Sequence, residues 1–306
     1  MDIPICKKLY ELTGCRVAGR SCKKCPGCDS EKTKEFALRL AKIDSVVNQG
    51  NRKTVLSHLA KWLGYDKAIE VLGIPRPERF PTVALIIGCQ GRLDHLKTTL
   101  ETLVNSGPAI TIVVDASDPD RSGQWAGNAF PGQVEPVWLD CETYPYSRVF
   151  NVGAVAAVKL LPNLQQFVFC DADVAVKPSL CRQVVEAGHA AVRIRQNAHG
   201  NTVEPRGLIA CPVKEFFQVG GFEEAFDPWW GCRDADLLNR MMKAGLPFKE
   251  ILGIATQIPN IPSYEELERS KRICCPALVS EKIGWSVSVR LSSGQTELRW
   301  PCDTGC

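Results

Sequence analysis

The sequence predicts an α/β protein with a Rossmann-like, mostly parallel sheet, carrying a small cysteine-rich helical module at its N-terminal end. Three observations carry this. Short continuous apolar runs at 82–87, 109–114 and 166–170 alternate with helical patterns, and strands buried on both faces of a sheet read in that way. Five cysteines crowd the first 28 residues, ahead of two or three amphipathic helices. Between these regions lies Gly73-Ile-Pro-Arg-Pro-Glu-Arg-Phe-Pro81, a Pro-rich linker. The expected division is an accessory module at 1–79, a sheet domain at 80–260 and a C-terminal hairpin at 261–306.

The module comes first. Cys22, Cys25 and Cys28 form Cys-x-x-Cys-x-x-Cys, with Cys15 seven residues earlier. Thiolates so spaced can close on one tetrahedral zinc, and a small loop-rich segment needs a staple of that kind. An iron–sulfur cluster and free thiols are the alternatives. Phe36, Leu40, Ile43 and Val47 share one helical face, as do Val55, Leu59, Trp62 and Leu63. Beyond the linker, the run at 82–87 is a buried strand, followed by a helix bearing Leu93, Leu96, Leu100 and Leu103. The run at 109–114 is a second strand, 115–132 a polar loop, 147–161 a helix and 166–170 a third strand. Such alternation builds a parallel sheet with helices on both faces and ligands at the carboxyl ends of the strands. Residues 285–300 alternate and turn at Ser293-Gly294, a hairpin signal. Cys274, Cys275, Cys302 and Cys306 flank that hairpin as a second candidate zinc site, with buried thiols as the alternative.

Composition narrows the class. Of 306 residues, 45% are hydrophobic and 23% charged, which excludes a mainly disordered, collagen-like or coiled-coil chain. No apolar run is long enough to span a membrane. The opening Met1-Asp2-Ile3-Pro4 lacks the features of a secretory signal, so the cytoplasm is the expected compartment, that of the host if the protein is viral. There, 15 cysteines point to metal binding or buried thiols rather than disulfides. Residues 1–79 carry 16 Lys and Arg against 9 Asp and Glu, a net of +7, whereas the remainder is net −4. A basic appendage can hold a polyanion, and DNA is one candidate partner; a plain solvated surface is the alternative.

Two segments carry chemistry. The third strand ends in Cys170-Asp171-Ala172-Asp173. Carboxylates at the end of a buried strand need a compensating cation or hydrogen bonds, and oxygen ligands of this kind suit Mg or Mn completed by substrate phosphates. A turn or cap is the plain alternative. Forty-seven residues after Asp173, Gly220-Gly-Phe-Glu-Glu-Ala-Phe-Asp-Pro-Trp-Trp-Gly-Cys-Arg-Asp-Ala-Asp236 leads into a helix. Paired Trp229 and Trp230 beside Gly231 make a platform for a sugar or base. Asp234 and Asp236 open the helix, where a carboxylate either caps it or serves as a general base.

Together these segments resemble the nucleotide-sugar glycosyltransferases of the A-type fold. Thr82-Val-Ala-Leu-Ile-Ile-Gly-Cys-Gln-Gly-Arg92 is similar to the opening of family 2 glycosyltransferases, and Ile112-Val-Val-Asp115-Ala-Ser117 to their second strand. Arg148-Val-Phe-Asn151-Val-Gly153 is a looser match to their Arg-Asn-x-Gly, with Phe150 in place of a basic residue. Gly220-Gly221-Phe222 through Trp230-Gly231-Cys-Arg-Asp234 is similar to the acceptor-side segment of galactosyltransferases and chondroitin-type polymerases. The resemblance covers residues 81–250. Two departures stand out. Arg233 replaces the family's Glu, adding a cation suited to an anionic group. The late metal-ligand His is absent, leaving Gln257 or a water to replace it.

The resemblance implies an A-type glycosyltransferase fold and a metal-dependent, inverting transfer from a nucleoside-diphosphate sugar, a UDP-sugar first. It implies donor binding by Gln90, Arg92, Asp115, Asn151 and Asp171, and Mn or Mg held by Asp171 and Asp173. Asp234 is the implied catalytic base, with Trp229, Trp230, Gly231, Arg233 and Asp236 on the acceptor side. For the acceptor, the charge asymmetry suggests a hydroxymethylated base in DNA, as in viral DNA modification; a glycan, lipid or protein is the plainer alternative. Outside this class stand a non-catalytic zinc-containing nucleic-acid-binding protein and a nucleotidyltransferase. His58, His95, His189 and His199 are dispersed and read as surface or packing residues.

Overall fold

The computed structural model describes residues 78–196, 208–227, 233–258, 286–291 and 293–299. The chain divides into two compact units, Met1–Arg76 and Pro77–Cys306, and the described residues belong to the second. The first zinc candidates, Cys15, Cys22, Cys25 and Cys28, lie outside them, as do Cys274, Cys275, Cys302 and Cys306.

Ten strands and six helices follow one another along the described residues. The strands are β1 (Phe80–Cys89), β2 (Pro108–Ala116), β3 (Val134–Leu139), β4 (Gln166–Asp171) and β5 (Val174–Val176), then β6 (Ala191–Gln196), β7 (Leu208–Pro212), β8 (Phe248–Gln257), β9 (Ser286–Leu291) and β10 (Gly294–Arg299). The helices are α1 (Leu93–Val104), α2 (Ser122–Ala129), α3 (Tyr146–Leu160), α4 (Leu180–Ala187), α5 (Val213–Gln218) and α6 (Arg233–Lys243). One sheet takes the order β10-β9-β3-β2-β1-β4-β7-β6-β8-β5. Strands β3, β2, β1 and β4 run parallel, while β7 is antiparallel to both β4 and β6. The α/β class and the mostly parallel central sheet are as the sequence predicts.

Strand order reverses beside β1, because the chain steps out through β2 and β3 and then returns to β4 on the other side. Open α/β sheets bind ligands in the crevice at such a switch point. The register brings the right residues there: Cys89 pairs with Asp115, and Gly88 with Asp171. On the far side, β5 pairs with β8 so that Val174 faces Gln257.

Alternation along β1 divides the core. Val83, Leu85 and Ile87 pack with Leu96, Leu100 and Leu103 of α1 and Val184 of α4. Ala84 and Ile86 face the other way, onto Val149 and Val152 of α3 and a Phe cluster. Helix α3 lies unusually close there: a Cβ on Gly153 would come within 2.4 Å of Ile86 Cγ2. In the Phe cluster, Phe222 lies 5.3 Å from Phe150 and 4.9 Å from Phe169, centroid to centroid. Edge-to-face and offset arrangements of this kind fix relative orientation as well as burying area. They tie the Gly220-Gly221-Phe222 segment to α3 and β4.

Two elements were not foreseen, one inside the expected polar loop at 115–132 and one just after it. Helix α2 forms within 115–132, burying Ser122, Gly123 and Ala126. Its inner face is small rather than apolar, so it leaves no hydrophobic period. Strand β3 follows at once and contains Pro136, a residue that speaks against a strand unless the missing N–H falls on an open edge. The hairpin expected at 285–300 is present as β9 and β10. Among the described residues no helix is long and apolar enough to cross a membrane.

Candidate active site at the carboxyl edge of the sheet

Helix α3 begins without a capping side chain of its own, since Pro145 stands at its N-cap. The first N–H groups of a helix need acceptors, and Asp227 supplies them from 80 residues away. Its Oδ1 accepts from Ser147 N at 2.6 Å and its Oδ2 from Arg148 N at 3.3 Å. Burial pushes the Asp227 carboxyl above its ordinary range, while these N–H groups draw it back. The cap fixes Tyr146 in the first turn of α3. Tyr146 is buried well enough that its hydroxyl is held neutral far above its usual range.

That hydroxyl lies 3.4 Å from Asp234 Oδ1, and it is also near enough to Asp171 to lower that carboxyl. Carboxylates from the end of β4 and the first turn of α6 therefore meet at one phenol. Desolvation, then the neighbouring Asp173 and Asp234 charges, push the Asp171 carboxyl well above its ordinary range, against the pull of Tyr146 and Arg233. Such a cluster of acids calls for a positive partner. Arg233 supplies part of it: its guanidinium sits 4.5 Å from the Tyr146 ring centroid and donates to the Phe226 and Asp227 carbonyls at 3.4 Å each. A cation over an aromatic face is held there by the ring quadrupole.

Asp173 is 8% exposed. Its Oδ2 accepts from Gln257 Nε2 at 3.1 Å, and its backbone carbonyl accepts from Ile258 N at 2.8 Å. Its Oδ1 is buried and has no hydrogen-bond partner. A buried carboxylate oxygen left orphaned is costly in a protein and natural in a metal ligand. The Asp171–Asp173 pair therefore fits a Mg or Mn site of the kind that uses one or two carboxylates and leaves room for phosphate oxygens. Among the described residues no group of three His, Cys, Asp or Glu closes on a single point.

The expected donor residues are brought to the same edge in differing states. Gln90 donates from Nε2 to the Ala116 carbonyl at 2.7 Å, bridging the ends of β1 and β2. Arg92 stands at the N-cap of α1. Asp115 accepts the backbone N–H groups of Asp118 and Gly123 at 2.8 Å each, so it shapes the β2–α2 loop from a buried position. Gly88 makes room for Tyr144, whose hydroxyl would lie 2.1 Å from a Cβ there.

Two expected site residues are engaged within the fold. Asn151, expected among donor-binding residues, is fully buried in α3. Its Nδ2 donates to the Phe222 carbonyl at 2.9 Å and to Glu224 Oε1 at 2.8 Å, and its Oδ1 accepts from Phe222 N at 2.9 Å. The amide is spent on holding the Gly-Gly-Phe segment. Asn151→Ala is expected to cost about 3 kcal/mol by orphaning buried backbone groups, measured as a shift in the urea unfolding midpoint. Asp236, expected on the acceptor side, is instead paired with Arg240 at 2.6 Å on α6. Arg240 in turn donates to the Val219 carbonyl. Trp229, Trp230 and Gly231 lie outside the described residues.

Sequence reasoning missed Tyr146 and Asp227. The available signal was indirect: a helix start at Ser147 with no capping side chain demands an acceptor from elsewhere. The described cysteines are free thiols, with Cys89, Cys170, Cys181 and Cys211 buried. Burial lifts the Cys89 thiol to about 12, so it is no nucleophile.

Residues 189–267 match the family described as the N-terminal domain of galactosyltransferase. The match spans β6 to the end of β8 and so includes the Gly-Gly-Phe turn, Asp234 and Gln257. It bears out the expected glycosyltransferase, and the sheet bears out the expected A-type class. No curated protein sequence matches the chain. Solved structures resemble it at low identity. S. aureus TarS 1-349 in complex with UDP-GlcNAc is 11% identical, with 60% of each chain covered and a TM-score of 0.48. The catalytic domain of Drosophila beta1,4galactosyltransferase 7 in complex with xylobiose is 14% identical over 72% of this chain and 94% of that one, at 0.43. The mannosyltransferase PcManGT from Pyrobaculum calidifontis, in complex with GDP-Man and Mn2+, is 14% identical over 76% and 70%, at 0.46. The chain spans about 60% of the TarS fragment, and these likenesses concern backbone course alone.

Proposed function

We propose that this chain transfers a sugar from a nucleoside-diphosphate sugar, a UDP-sugar first, to an acceptor hydroxyl, with inversion. The observation that carries the reading is the Tyr146 hydroxyl, hydrogen-bonded to Asp234 and set beside Asp171. A candidate metal-holding carboxylate and a candidate base, far apart in sequence, share one cluster at the switch point of the sheet. Asp234 is the base that takes the proton from the attacking hydroxyl. Asp171 and Asp173 hold a divalent cation, Mn or Mg, which supplies neutralisation of charge on the departing diphosphate. Gln257, hydrogen-bonded to Asp173, orients that carboxylate from the end of β8. Arg233 adds a fixed positive charge beside the base, suited to an anionic group of donor or acceptor. Gln90 and Arg92 close the donor side from the end of β1.

Transfer to a hydroxymethylated base in DNA rests on the net charge of +7 carried by residues 1–79, which lie outside the described residues. The test is nucleoside diphosphate release from a panel of UDP- and GDP-sugars with Mn2+, with chelator, and with DNA containing hydroxymethylated pyrimidines. Release that needs the cation is expected, and release that rises with the modified DNA identifies that acceptor. A purified, folded chain releasing nothing from any donor overturns the transferase reading.

A further inference from the structure

A groove of about 1080 Å³ runs beside β3, bounded by α2 and the β9–β10 hairpin. It extends from Gln133, just before the strand, to Asp140, just after it, a length of about 20 Å at the rise of an extended chain. The groove belongs to neither the Asp171–Asp234 cluster nor the Gly-Gly-Phe segment. Its far end reaches Asp115 and Asp140 at the carboxyl ends of β2 and β3, the same edge of the sheet that carries the candidate active site.

The backbone hydrogen bonds along the β3 edge decide what can lie there. Thr111 N donates to the Gln133 carbonyl at 3.0 Å, so the odd-numbered residues of β3 turn their backbone groups toward β2. Val134, Pro136 and Trp138 turn theirs away. Val134 N donates to the Phe130 carbonyl at 3.0 Å. Pro136 has no N–H, and Trp138 is paired with Arg290 of β9. Val134 and Pro136 therefore turn their carbonyls outward with no free N–H beside them. A peptide adding as a strand needs both, so strand addition is disfavoured. Charge disfavours a polyanion as well: among the described lining residues Asp115, Asp118, Glu135 and Asp140 stand against Arg121, and of these Asp140 is the exposed acid.

A neutral ligand rich in hydroxyls meets these conditions. Hydroxyls donate to carbonyls and carboxylates, and they accept from amides. The amides are present: Gln124 and Asn128 are exposed on α2 and line the groove. Gln133 also lines it, is 5% exposed, and accepts at Oε1 from Arg79 at 2.6 Å. That bond fixes the amide orientation and leaves Nε2 buried without a partner. Trp138, half-buried, adds an aromatic surface of the kind that packs on the apolar face of a sugar ring.

We propose that the β3 groove binds a neutral oligosaccharide, holding sugars of a glycan acceptor that lie remote from the reacting hydroxyl. This names an acceptor class for the transferase and rests on that reading for its purpose, though not for the binding itself. The test is calorimetric titration of the full chain, without donor, using disaccharides to hexasaccharides of glucose, galactose, xylose and N-acetylglucosamine. At least one series is expected to bind, more tightly with length. The Gln124→Ala/Asn128→Ala double variant, exposed and safe for folding, is expected to weaken binding about tenfold, which corresponds to about 1.4 kcal/mol. Trp138→Ala is expected to weaken it further. Absence of binding across the panel, or binding indifferent to the double variant, overturns the proposal. So does tighter binding of sulfated chains that the double variant weakens. Cation-dependent donor release with no oligosaccharide binding would remove the groove proposal alone; binding without donor release would remove the transferase reading alone.

Discussion

Asp234→Asn is expected to lower turnover by about a thousandfold while leaving donor binding unchanged, in line with loss of a general base. The substitution keeps shape and removes only the capacity to take a proton. Asp234 sits in the first turn of α6, partly exposed, with its Oδ1 against the Tyr146 hydroxyl. An amide oxygen still accepts from that hydroxyl, so the cluster keeps its geometry. Arg233 precedes it in sequence and lies over the same Tyr146 ring, a fixed positive charge close to the candidate base. Turnover is measured as nucleoside diphosphate release with a competent acceptor, and donor affinity by calorimetry. Equal loss of both would make Asp234 a structural residue. Unchanged turnover would place the base elsewhere. The outcome also separates an enzyme from a nucleic-acid-binding protein on a degenerate sheet, because only an enzyme has turnover to lose.

The residues of this site were legible in the sequence to different depths, for a physical reason. Asp171 and Asp173 stand out because an apolar strand ending in two carboxylates is an energetic anomaly wherever it occurs. Asp234 stands out through the segment around it. Tyr146 does not, because its role exists only once α3 and α6 meet across a separation of 88 residues. The resemblance places Asn151 among the donor-binding residues. In the fold its amide is consumed by Phe222 and Glu224. The clue lay in its setting, since an Asn among Val149, Phe150, Val152 and Ala154 is buried and must find partners inside the protein. Helix α2 and strand β3 escaped for the complementary reason. Helix α2 buries small residues, and β3 carries a proline on the side where β9 pairs at Trp138, so neither leaves a hydrophobic period. The groove beside β3 was therefore beyond reach of any reading of periodicity.

Asp173→Ala is expected to abolish Mn2+ binding and, at the same time, to stabilise the metal-free protein. Both halves come from one oxygen. Asp173 Oδ1 is buried with no hydrogen-bond partner, an arrangement that costs about 1–3 kcal/mol in desolvation when nothing compensates it. Asp173 also raises the Asp171 carboxyl, second only to burial itself, so its removal relieves a second acid. What the variant gives up is slight. The Ile258 N–H bond goes to the Asp173 backbone carbonyl and survives the change. Gln257 is exposed and turns to water. A net gain of about 1 kcal/mol in unfolding free energy without metal is the expected balance, read from urea denaturation in chelator. Mn2+ affinity, read by electron paramagnetic resonance of the free ion, is expected to fall at least about a hundredfold, since loss of a supporting residue alone costs up to that factor. The signs distinguish the two readings of the Asp-x-Asp turn. A carboxylate that serves the fold would lose stability on removal and leave metal binding alone, whereas one held for a cation does the reverse.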